Sequence, residues 1–398
     1  MSGVLIVVPP MVGHVNPTVP VGQELEARGH EVTWAGLPGV VDALLTEHAN
    51  FAPVWGGLDD AAYGALRDRG RGLRGPASVK FLWEDFLIPH AYASAPELDA
   101  LVDALSPAVL VVDQQAFGGS AVARRRGVPW VTSATTSAEL KDPLSALPLV
   151  DAWVRDQLHA LQLDLGVDPT VAAVGDLRFS EHVVLAFTTE ELAGPPEVPG
   201  LTSRVRFVGP CLTSRPERAT FDWEWLDPSM PLVLVSLGTI NAEVGDRFFG
   251  VVVDALGGAP LQAVVVAPPE RVALGAAKNI KLVPWVPQLA LLQRCSAVVT
   301  HGGHNTVCET LAHGLPLVLA PIRDDQPIVA DQVVRAGAGI RLRYGRVQAG
   351  ELRAAVERVL SEPAFRQSAV RIAESFTRAG GATAAADLIE SCLQERVP

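Results

Sequence analysis

Short unbroken apolar runs rich in β-branched residues recur along this chain, with helix-length stretches between them. The first is Val4-Leu5-Ile6-Val7-Val8. A run that does not alternate with polar residues reads as a strand buried on both faces. Such a strand must be covered by helices on each side, so the pattern predicts parallel α/β sheets with right-handed crossovers. A loop is expected over residues 9–16 and a helix over 17–28, with Pro17 in the first turn, where its missing N–H costs nothing. Gly29 stops that helix and Val32-Thr33-Trp34 opens the next strand, completing a βαβ unit. The pattern repeats with strands at 108–112 and 128–132 around a helix at 118–126 ended by Gly127.

It then starts afresh. Residues 232–237 read as a buried strand, 248–256 as a helix, and 262–266, 280–283, 297–300 and 317–320 as further strands. A last helix covers 382–394. Between the halves lies a segment holding Pro210, Pro216 and Pro228 with Arg215, Glu217 and Arg218, the composition of a linker. At about 100–200 residues per domain, 398 residues make two domains. The expected division is 1–208, a linker at 209–230, a second domain at 231–380, and a terminal helix at 381–398. Two doubly wound, Rossmann-like domains would face each other across a cleft. Ligands in such sheets bind beyond the carboxyl ends of the strands.

The formal net charge of -12 argues against nucleic acid or an anionic membrane as partner, since both require a basic footprint. Cys211, Cys295, Cys308 and Cys392 are scattered and form no metal or disulfide framework, which suits a reducing compartment. No apolar run reaches the roughly 18 residues of a membrane span. A cytoplasmic protein without stable membrane association is expected.

The densest chemistry lies in the second half. Trp285-Val286-Pro287-Gln288 precedes Thr300-His301-Gly302-Gly303-His304-Asn305-Thr306, then Glu309, then Asp324-Asp325-Gln326. A strand ending at Thr300 and a two-glycine turn let backbone approach a ligand closely. A helix starting near His304 or Asn305 offers free N–H groups and a positive dipole end, an anion site. No lysine or arginine lies in the turn, so a diphosphate would be held by neutral donors and by His301. Glu309, one turn below Asn305, is placed for the two hydroxyls of a ribose, and the Trp285 face can stack on a base. Taken singly, each has a plainer reading: chain reversal, a core tryptophan, a solvated glutamate.

In the first half, Val12-Gly13-His14-Val15-Asn16-Pro17 occupies the loop after the first strand. It is not a GxGxxG fingerprint, which weakens a nicotinamide dinucleotide reading. His14 is either a general base or a structural hydrogen-bond donor. Asp113 ends another buried strand and either orients His14 or caps a turn. Residues 56–95 read as irregular and mixed, and carry Phe81, Trp83, Phe86 and His90. A second such region, 135–168, carries Trp153. These aromatics either wall a pocket or pack two helices.

The run from Trp285 to Gln326 resembles the donor-binding signature of family 1 glycosyltransferases of GT-B fold, of the bacterial natural-product (antibiotic or macrolide) tailoring kind. The likeness extends over essentially the whole chain. It implies an N-terminal acceptor-binding domain and a C-terminal donor-binding domain. It implies that Trp285 stacks on the pyrimidine, that Val286 meets the base edge through its backbone, and that Gln288 and Glu309 lie near the ribose. His301, Gly303, Asn305 and Thr306 would hold the diphosphate. Ser236, Gly238 and Thr239 match the family's Ser/Gly loop and would touch phosphate from the other side. Asp325 and Gln326 would meet hydroxyls of the donor sugar. Where relatives often carry an asparagine after the Asp-Gln pair, this chain has Val329. The resemblance makes His14 the base, Asp113 its partner, and Phe81, Trp83, Phe86, His90 and Trp153 candidates for the acceptor wall.

The implied activity is inverting, metal-independent transfer of a (deoxy)sugar from a dTDP- or UDP-sugar co-substrate to a hydroxyl of a hydrophobic aglycone, with no cofactor. A homodimer is compatible with the sequence. A nucleotide-sugar epimerase of the same fold leaves the His14/Asp113 pair unexplained. A non-catalytic nucleotide-sugar-binding auxiliary protein has no need of His14.

Overall fold

The computed structural model describes residues 2–70, 72–73, 75–212, 220–238, 246–268 and 277–394. The chain forms two compact units. The first comprises residues 1–189, 195–216 and 379–398, and the second 190–194 and 217–378.

The first unit is built on a sheet of seven strands: β1 (Gly3–Val7), β2 (Glu31–Gly36), β3 (Asn50–Pro53), β4 (Val109–Asp113), β5 (Trp130–Ala134), β6 (Val183–Ala186) and β7 (Val205–Phe207). The order is β3-β2-β1-β4-β5-β6-β7 and every pairing is parallel. Successive side chains of β1 feed opposite cores. Val4 and Ile6 join Val19, Leu25, Val109 and Val131 on one face. Leu5 and Val7 join Leu98, Leu110 and Trp130 on the other. That two-sided burial is why the run at 4–8 shows no alternation.

The second unit repeats the scheme with β8 (Leu232–Ser236), β9 (Gln262–Val266), β10 (Ile280–Val283), β11 (Ala297–Thr300), β12 (Leu317–Leu319) and β13 (Gly339–Arg341). Its order is β10-β9-β8-β11-β12-β13, again all parallel. In each sheet the order reverses once, between β1 and β4 and between β8 and β11. Such a reversal opens a crevice at the carboxyl ends, because the flanking crossovers leave in opposite directions.

Two regions differ from the sequence reading. The loop expected over 9–16 contains a helical turn, Val12–Val15, that carries His14. The stretch expected to be irregular from 56 to 95 is largely helical: Asp60–Gly70, Pro76–Phe81, a π-helical turn at Leu82–Leu87, and Ile88–Leu105. Glycines at 70, 72 and 75 and prolines at 89 and 96 punctuate this segment and hide its period. Trp83, Phe86, Leu87, Ile88 and Ala91 form a buried stripe along it.

The last helix, Gly381–Gln394, belongs to the first unit. Ala385, Ala386, Ile389 and Cys392 enter the same core as Val4 and Val19. Arg28 holds it from the outside, 2.6 Å from Asp387 and 2.8 Å from Glu390, and His30 lies 2.9 Å from Glu390. Among the described residues, no helix is long and apolar enough to cross a membrane, and no group of three or more His, Cys, Asp or Glu could hold a metal ion.

Candidate active site

The first unit's switch point brings three strand ends together. β1 leads into the turn that presents His14, and Asp113 is the last residue of β4. The Nδ1 atom of His14 lies 2.9 Å from each carboxylate oxygen of Asp113. Asp113 is fully buried, whereas the His14 side chain keeps 15% of its surface exposed. The Gln115 amide donates to Asp113 Oδ1 at 2.9 Å, and the Thr135 hydroxyl donates to Oδ2 at 3.0 Å. A carboxylate fixed by these donors orients the imidazole with its proton on Nδ1. Nε2 is then the basic nitrogen, and the imidazolium formed by a proton transfer has a counter-charge waiting.

Thr135 escaped the sequence reading. Its signal is positional: it directly follows β5, whose Ser133 is the register partner of Asp113. Residues two apart on a strand share a face, so Thr135 falls beside the carboxylate.

Of the candidate acceptor residues, Trp83 and Phe86 pack in the core of the first unit. Both are buried, Trp83 stacks on Phe117 at 5.3 Å and Phe86 on His90 at 5.6 Å. Trp153 meets Trp83 edge-on, and Phe81 lies under the Arg69 guanidinium. His90 Nδ1 donates to the Gly56 carbonyl at 3.1 Å, and burial holds its pKa below the ordinary value. His90 also lines a recess beyond the ends of β1, β2 and β3, with Val8, Gly36, Val54, Ser94 and Gln115.

The second unit's switch point carries the glycine-rich turn. Ser236 and Thr300 end β8 and β11 and are register partners. The His301 ring, 8% exposed, lies against both, with Nδ1 3.2 Å from the Thr300 hydroxyl and a hydrogen bond to the Ser236 backbone. A Cβ at Gly238 would stand 2.8 Å from its Cε1, and a Cβ at Gly303 2.5 Å from its Nε2. The two glycines are therefore a slot for this ring. Gly238 also has a positive φ of 72°, which disfavours any other residue. Burial pushes the His301 pKa down to about 4; nearby Arg323 lowers it further, against a hydrogen bond to the Ser236 backbone. His301 is thus an uncharged donor at neutral pH. Thr239 lies outside the described residues.

The helix His304–Ala312 begins directly after Gly303, an N-cap residue with no side chain of its own to cap it. The positive end of the helix dipole lies at this mouth. Asn305 and Thr306 lie half-buried at that end. One turn on, buried Glu309 accepts a hydrogen bond from the Gln288 side-chain amide, so the two residues expected at the ribose are joined. Trp285 is 63% exposed, an open aromatic face, while Val286 packs into the core behind it.

Asp325 precedes the helix Gln326–Arg335 at its N-cap position. Gln326 is buried, and its Oε1 accepts from the backbone of Ile322 at 2.9 Å and Arg323 at 3.1 Å. Its carbonyl oxygen therefore shapes the loop, and its amide NH2 is the group left to donate. Val329 is wholly buried in the core with Val307 and Leu319, so this departure from relatives does not alter a ligand surface.

The fold and these strand-end sites define a transferase built on two doubly wound sheets. A family model described as UDP-glucoronosyl and UDP-glucosyl transferase matches residues 202–376. The chain is 30% identical to 4'-demethylrebeccamycin synthase of Lentzea aerocolonigenes, over 97% of this chain and 98% of that protein. It is 29% identical to demethyllactenocin mycarosyltransferase of Streptomyces fradiae, over 99% and 87%. The solved structure of the glycosyltransferase of kitacinnamycin superposes with a TM-score of 0.79 at 26% identity, over 98% of this chain and 99% of that one. The chain belongs to this family of glycosyltransferases and has the GT-B fold.

Proposed function

We propose that this enzyme transfers a sugar from a dTDP- or UDP-sugar to a hydroxyl of a hydrophobic natural-product acceptor, inverting the anomeric centre and needing no metal. The observation that carries the reading is the His14 ring held by the buried Asp113 carboxylate at the end of β4. A binding protein has no use for that pair, and an epimerase has no acceptor hydroxyl for it to deprotonate. Two curated relatives are named for tailoring steps on natural products, one of them as a mycarosyltransferase. Their names support an acceptor of this class.

Each unit supplies half of the chemistry. In the first, Nε2 of His14 takes the proton from the acceptor hydroxyl as its oxygen attacks the anomeric carbon. Asp113 stabilises the imidazolium. In the second, the diphosphate leaves with the C1–O electrons, and its growing charge meets the amide donors at the mouth of the His304–Ala312 helix. Attack opposite the leaving group gives inversion. Trp285 would hold the base, and Gln288 and Glu309 the ribose.

The test is calorimetric titration with dTDP and UDP in chelator, beside an NAD control, on the native protein and on His14→Ala. Native protein should bind a diphosphate without metal and ignore NAD. His14→Ala should keep that affinity while transfer falls by about 10²–10⁴-fold. Equal loss of binding and transfer would make His14 structural, and binding that demands a divalent metal would reject the helix-end site.

A further inference from the structure

The turn that carries His14 is too short to hold itself. Val12–Val15 has four residues, and its N-cap residue Met11 supplies no side-chain cap. Pro17, just past it, has no N–H to carry the backbone ladder onward. Yet the turn keeps His14 Nδ1 at 2.9 Å from both Asp113 oxygens. Side chains from outside the turn grip it at both ends. At its end, the Thr18 hydroxyl donates to the Val15 carbonyl at 2.8 Å and accepts from Trp34 Nε1 at 3.2 Å. An indole N–H only donates, so the Thr18 proton is committed to Val15. Trp34 is the register partner of Ile6, and a Cβ at Gly22 would stand 2.1 Å from its Cζ2, so the ring sits where only glycine leaves room. Val15, Thr18 and Trp34 are all buried. At its start, the Tyr63 hydroxyl, on the helix Asp60–Gly70, donates to the Pro10 carbonyl. Met11 follows and packs with Leu58, Leu66 and Trp83. Its own carbonyl accepts from the His14 amide at 2.9 Å and the Val15 amide at 3.2 Å.

A carbonyl gripped by a hydroxyl leaves its peptide plane little room to turn, and the peptide planes fix the direction of the Cα–Cβ bonds between them. The Val15 grip is one residue from His14, and the Pro10 grip acts through the Met11 carbonyl that receives the His14 amide. We propose that Thr18 and Tyr63 are positioning residues for the base: their hydroxyls hold the two ends of the turn and so set the His14 ring against Asp113. Trp34 acts one step behind, by orienting the Thr18 hydroxyl. The inference rests on reading His14 as the base. It gives the helix Asp60–Gly70 a part in the chemistry, since that helix supplies the Tyr63 grip on the loop before His14.

The experiment titrates the His14 ring by NMR in protein carrying isotope-labelled histidine, with the signal assigned from its loss in His14→Gln. Asp113→Asn is the reference for a ring without its counter-charge, and its His14 should titrate about 1–3 pH units below the native one, because a carboxylate favours the imidazolium. Thr18→Val and Tyr63→Phe should each move His14 part of that way, by at least about half a pH unit, with the other histidines unmoved. Thr18→Ser keeps a hydroxyl and should titrate as the native chain does. Variants that melt at lower temperature yet titrate His14 as the native chain does would make the two hydroxyls structural and overturn the proposal. A displacement in Thr18→Ser as large as in Thr18→Val would overturn the part given to Thr18. A His14 ring indifferent to Asp113→Asn would remove the reading of the base, and this inference with it.

Discussion

His301 has an ordinary pKa of 6.5, brought down to about 4 by burial in its glycine slot. Between these values the unfolded chain binds a proton that the folded chain refuses. The contribution to stability is therefore complete above pH 6.5 and is lost as the pH falls toward 4, by about 3 kcal/mol in all. Urea denaturation across that window should show this slope, and His301→Asn should flatten it; an unaltered slope would assign the acid sensitivity to other groups. Thr135 offers a second test. Thr135→Val removes the hydroxyl that donates to Asp113 and should slow transfer about tenfold with diphosphate affinity intact. Unchanged kcat would make that hydrogen bond incidental to the base. His14, Asp113 and the glycine turn were legible in the sequence because each sits at a strand end marked by an apolar run. Thr135 was not, because a threonine after a strand is commonplace until the neighbouring strand is known.

The strands β1, β2, β4, β5 and β8 to β12 were read to within two residues at either end, since continuous β-branched runs admit little else in a doubly wound sheet. The strands β3, β6, β7 and β13, each of three or four residues, were not read. The helical segment at 60–105 was missed for the opposite reason. Its apolar residues are many, but a π-helical turn at Leu82–Leu87 adds a residue to the period and shifts the stripe. Trp83 lies within that turn and stacks on Phe117. Trp83→Ala should cost about 3–5 kcal/mol of stability, as other buried aromatics do. A variant that melts normally but loses acceptor affinity would place Trp83 in the acceptor wall.

The linker expected at 209–230 contains the division at residue 216, but two more exchanges between units had no sequence mark. Residues 190–194 carry a single helical turn, and its Leu192 packs with Val307 and Leu311 of the second unit. The chain returns to the first unit at residue 379, and a polar-faced terminal helix gives no hint of which core it will join. Ile389→Ala should lower the stability of the first unit by about 2–5 kcal/mol and leave diphosphate binding by the second unchanged. Loss of that binding would mean that the two units unfold as one. The return has an effect during synthesis. The core beneath β1 closes only when Ala385, Ala386, Ile389 and Cys392 arrive, long after the second unit has been made. The part translated first is finished last, so on the ribosome it must wait, with one apolar face open, while the second unit folds ahead of it.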